Sequence, residues 1–109
     1  MTVAEQYTYR VRWSQRDGEF VATVAEFPSL SWLAKDQVEA FLGAVALVRE
    51  TLDDMAEDGD AIPVPLGQRE FSGEFMVRTT PEIHRSLAIE AAEQHVPMNR
   101  LVVSRLAAA

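Results

Sequence analysis

Apolar and polar residues alternate strictly in "YTYRVRW", Tyr7 to Trp13. Tyr7, Tyr9, Val11 and Trp13 share one face, the period expected of a half-buried strand. "EFVATVAEF", Glu19 to Phe27, is β-rich, with Phe20, Ala22 and Val24 on one side. Asp17-Gly18 between the two runs predicts a hairpin, because glycine accepts a positive φ without strain. Pro28 cannot donate to a sheet ladder and ends the second strand. "SLSWLA" (Ser29 to Ala34) predicts a short third strand. The period then changes. Asp36 and Glu39 are spaced as a capping pair, and Val38, Phe41, Leu42, Val45, Val48, Leu52 and Met55 recur at helical spacing. Gly59 predicts the helix stop, and the prolines of "AIPVP" favour extended backbone. Residues 1–66 thus read as a small α+β module, an antiparallel sheet with one helix on its apolar face and Trp13 and Trp32 in its core.

The segment 67–73 has two glycines and little pattern, and reads as a linker. Residues 74–109 follow a different plan. In "EFMVRTTPEIHR", Phe75, Val77 and Thr79 alternate with Glu74, Met76 and Arg78 before Thr80-Pro81 opens a helix. That helix is predicted to His95, with Ile83, Leu87 and Ala91 inward; a second runs from Met98 with Leu101, Val102 and Leu106 inward. One strand and two helices are too little chain to bury a core alone. The expectation is that two copies pair their strands, enclosing Phe75 and Val77 as a dimer core. Glu74, Met76 and Arg78 would then face outward on a ribbon narrow enough for the DNA major groove, positioned to touch base edges. Met98, Asn99 and Arg100 would aim a helix N-terminus at a phosphate, with Arg85 as a further backbone contact.

Charge sharpens this division. The chain of 109 residues has a net charge of −7, against non-specific coating of nucleic acid. Residues 1–70 carry 13 acidic and 6 basic side chains, whereas residues 71–109 carry 4 of each. No apolar run approaches the roughly 20 residues of a membrane helix, and "MTVAEQYTYR" lacks the order of a signal peptide. The absence of cysteine fits a reducing cytoplasm. His84 and His95, without paired ligands at metal spacing, read as surface residues, and no metal or cofactor is expected.

The back segment "GEFMVRTTPEIHRSLAIEAAEQHVPMNRLVVSRLA" resembles the ribbon–helix–helix domains attached to HicB-family antitoxins. The front resembles the HicB N-terminal module, a partial RNase H-like fold. It shows the aromatic first strand, the D-G-E-F-V-A hairpin, the F-P-S-L-S bend and the closing I-P-V-P. The resemblance implies an antitoxin that masks a HicA-type toxin, a small mRNA-cleaving ribonuclease, and represses its own operon as a dimer or tetramer on operator double-stranded DNA. A solitary ribbon–helix–helix regulator without a toxin is the alternative. Three positions depart from the family's usual pattern: Glu74 for lysine or another polar residue, His95 for glycine in the interhelix turn, and Pro97 for a capping serine. RNase H catalysis needs converging carboxylates on metal ions, and the first strand has none, so the chain is not expected to be an enzyme.

Overall fold

The first alternating run forms strand β1, Tyr9–Ser14, in a computed structural model that describes residues 3–109. It pairs antiparallel with β2, Glu19–Val24, which pairs antiparallel with β3, Ser31–Ala34, so the sheet order is β1-β2-β3. The β1–β2 turn closes as its residues dictate. Asp17 accepts from the Ser14 hydroxyl at 2.8 Å, and Gly18 takes φ 64° while its amide donates to the Ser14 carbonyl. Helix α1, Gln37–Asp58, starts where the Asp36 carboxylate accepts from the amides of Val38 and Glu39, and stops at Gly59, φ 72°. Helices α2, Pro81–Gln94, and α3, Met98–Ala108, complete an α+β chain. It divides into two units, Met1–Phe71 and Ser72–Ala109.

The first unit has one core in two parts. Ala4, Tyr7, Val24, Phe27, Val45, Val48 and Leu52 form the larger cluster, and Ala22, Ala40 and Ala44 the smaller. The helix face corrects the sequence expectation. Val45, Val48 and Leu52 are buried as predicted, but Val38 and Leu42 lie outside and Phe41 only partly covers Tyr9, its ring edge-on at 5.4 Å. Ala40 and Ala44 take their place. The reason is volume: the sheet supplies the bulk here, and the helix must approach closely with small residues. Gly43 shows how closely, since a Cβ at that position would stand 2.0 Å from the Trp32 indole. Trp13 and Trp32 are accordingly not core residues. Both remain exposed, Trp13 packing edge-on against Phe20 and donating to the Gln15 amide oxygen.

The segment after α1 is fastened by polar contacts over long sequence distance. Tyr7 Oη donates to the Pro63 carbonyl at 2.7 Å, and Pro65 is fully buried. Tyr9 Oη donates to the Ala4 carbonyl; burial, with Glu5 and Glu26 nearby, pushes this phenol up to about 12. The Glu26 carboxylate accepts from the Thr8 amide, the Thr8 hydroxyl and the Leu66 amide at 2.9–3.0 Å. Burial alone would raise its pKa, but these donated hydrogen bonds outweigh burial and hold it below its ordinary 4.5. The folded value lies under the unfolded one. The stabilisation is therefore complete above the unfolded value and is lost as pH falls through the folded value. Glu26→Gln is expected to cost ~1–2 kcal/mol at neutral pH and to flatten the acid limb of stability against pH, read by urea denaturation at neutral and acid pH.

Candidate functional site

The unit Ser72–Ala109 begins with Gly73 at φ 88° and a small turn in which the Glu74 amide donates to the Ser72 hydroxyl at 3.0 Å. Among the described residues, 74–80, which follow, pair with no other segment, so the predicted strand is not in a ladder there. At Thr80 the local chemistry sets a helix start. Its hydroxyl accepts from the Ile83 amide at 3.2 Å, and Pro81, with φ already fixed, occupies the first turn beside Glu82. Helix α2 ends at His95, φ 57°, the one non-glycine residue with positive φ among those described. The amides of His95 and Val96 donate back to Ala92 and Ala91. A glycine would hold this left-handed position without the ~1–2 kcal/mol that a side chain costs there. Helix α3 then starts at Pro97 with no side-chain cap, so its first-turn amides are open to an external acceptor.

Burial in this unit is sparse. Ala91 and Leu101 are buried and Leu87 and Val102 partly so, whereas Ile83 and Leu106, predicted inward, are exposed. Phe75 is 76% exposed and Val77 65%. Both nevertheless face α3: with Met98, Val102 and Leu106 they line a groove of about 420 Å³. A second groove, of about 630 Å³, runs from Val77 and Arg78 past Leu87 to Met98 and Val102. Met76, 80% exposed, lines neither. Glu74, by contrast, lines the first groove beside Phe75, and Arg78 and Thr79 line the second beside Val77, so only Met76 is set apart from both.

The other predicted contacts lie on the surface. Glu74 and Asn99 line the first groove, Arg78 lines the second, and all three are exposed, as are Arg85 and Arg100 on α2 and α3. Among the described residues Arg78, Arg85 and Arg100 make no ion pair, while Arg105 is held by Glu90. Three uncommitted guanidinium groups and an uncapped helix start are therefore available to an anion. Among the described residues no cluster of histidine or carboxylate side chains is arranged to hold a metal.

No curated protein and no solved structure matches the chain. The model of the HicB family matches residues 57–106, from the end of α1 through α2 and nearly all of α3. Over that stretch, which holds the short apolar-alternating segment and the two helices that follow the small α+β unit, the chain is similar to the HicB family.

Proposed function

We propose that this protein is the antitoxin of a toxin–antitoxin pair. In this reading the sheet-and-helix unit binds and neutralises a HicA-type ribonuclease toxin, and the unit Ser72–Ala109 binds operator DNA as a homodimer. The observation that carries the second half is the grooved, almost coreless unit, in which Phe75, Val77, Ile83 and Leu106 stay in water. Pairing residues 74–79 of two chains antiparallel would satisfy the free backbone and bury those side chains together. It would also place Glu74, Met76 and Arg78 outward on one ribbon, the position for reading base edges. The open amides of Met98, Asn99 and Arg100, with Arg85, would take phosphates. Three antiparallel strands with one helix on one face fit a partial RNase H-like module, and its acidic surface suits a basic partner. No catalytic step is assigned to it.

The test is retention of bound proteins and DNA by the tagged full chain from lysate of its source. A short basic protein held together with the chain's own upstream DNA supports both halves of the reading. Retention of the DNA without any such protein reduces the molecule to a solitary regulator.

A further inference from the structure

Where the first unit would hold a toxin is not written in any motif, but the free edge of its sheet suggests an answer. Among the described residues β1 pairs with β2 alone, which leaves its other edge open. Register decides which backbone groups point there. The Thr8 carbonyl accepts from the Ala25 amide at 2.9 Å, and bonded and non-bonded positions alternate along an antiparallel pair. Arg10 and Arg12 therefore turn their amides toward Thr23 and Val21 of β2, whereas Tyr9, Val11 and Trp13 turn theirs outward. The same three residues send their side chains to the face covered by α1. Phe41 adjoins Tyr9 there, and Val38 and Leu42, one turn apart on α1, are 62% and 57% exposed. An incoming strand would meet unsatisfied backbone groups and an apolar strip together.

Charge selects the occupant. Arg10 and Arg12 are exposed on the opposite face of β1 and make no ion pair among the described residues. Two copies pairing β1 with β1 antiparallel would set arginine against arginine, which opposes self-association at this edge. On α1, Glu39, Glu50, Asp53 and Glu57 recur along the flank next to Val38 and Leu42, all exposed and none in an ion pair among the described residues. A ribonuclease needs a basic surface to hold RNA phosphates, and such a surface complements this acidic rim.

Resting on the antitoxin reading, we propose that the toxin docks at the free edge of β1. One of its strands is added there, and its apolar side chains fill the strip formed by Val11, Trp13, Val38, Phe41 and Leu42.

Two substitutions in the full chain test this, with the short basic protein encoded beside it as the immobilised probe. Val11→Pro removes an outward amide while leaving the bonds of β1 to β2, a place where an edge strand tolerates proline. Leu42→Glu changes an exposed helix position and leaves the core alone. Each is expected to weaken retention by roughly tenfold or more, with circular dichroism, melting and DNA binding as in the parent. Leu33→Glu, on the other face of the sheet, is expected to bind as the parent does. If Val11→Pro melts early, Val38→Glu replaces it. Parental affinity in either edge variant overturns the β1 site while the antitoxin reading stands. A parent chain that holds no such protein sinks that reading itself.

Discussion

Arg78→Ala is expected to abolish sequence-specific binding to operator DNA while leaving circular dichroism and self-association unchanged. The residue is exposed, lines a groove, and is committed to no carboxylate among the described residues. A bidentate arginine on guanine discriminates by about 1–3 kcal/mol, and a symmetric dimer would present this contact in both half-sites. Removing it from both therefore takes away most of what separates operator from random DNA. Arg100→Ala provides the contrast. As a phosphate contact it should weaken binding to all sequences alike and make the salt dependence shallower. Fluorescence anisotropy on operator and scrambled duplexes, over a range of salt, reads both. Operator affinity untouched by Arg78→Ala would remove the ribbon assignment.

Phe75→Asp is expected to dismantle the back unit. Within one chain Phe75 and Val77 are among its most exposed apolar residues, lining a groove that its own helices do not fill. In a strand-paired dimer two Phe75 rings would enter the shared core. Truncating one such ring costs about 3–5 kcal/mol, and an unpaired carboxylate in its place costs more. With only Ala91 and Leu101 buried in a single chain, the unit has nothing in reserve. Amide exchange should show α2 and α3 losing protection together, while the β1–β3 sheet and α1 keep theirs. DNA binding would go with them. Protection of α2 and α3 equal to the parent's would mean that the unit is completed by something other than the paired segment 74–79.

Most boundaries were legible because the forces that set them are local. Asp17-Gly18, Asp36, Gly59 and Thr80-Pro81 each act within a turn of their own position, and each marks the start, end or turn expected of it. Burial was legible only where period and packing agreed, as for Val45, Val48 and Leu52. It failed at the front of α1. A count of apolar positions favours Val38, Phe41 and Leu42, but the face that meets Tyr9, Val11 and Phe20 of the sheet is Ala40 and Ala44, with Gly43 against the half-exposed Trp32 indole. Complementary volume across two elements has no signature in either one. The same holds for Glu26, whose partners Thr8 and Leu66 lie 18 and 40 residues away and which reads in sequence as an ordinary strand end.

The sequence by itself determined the two-part plan of this protein: the alternation and helical periods, the caps, the acidic front and neutral back, and the alternation over residues 74–79. Only the tertiary structure decided which helix face is core, which edge of the sheet is open and which apolar side chains are left in water. Periodicity and capping depend on residues a few positions apart, whereas burial and free hydrogen-bonding capacity depend on what stands opposite in space. Among the described residues, 74–79 take part in no ladder, so their strand period is legible and their pairing is not.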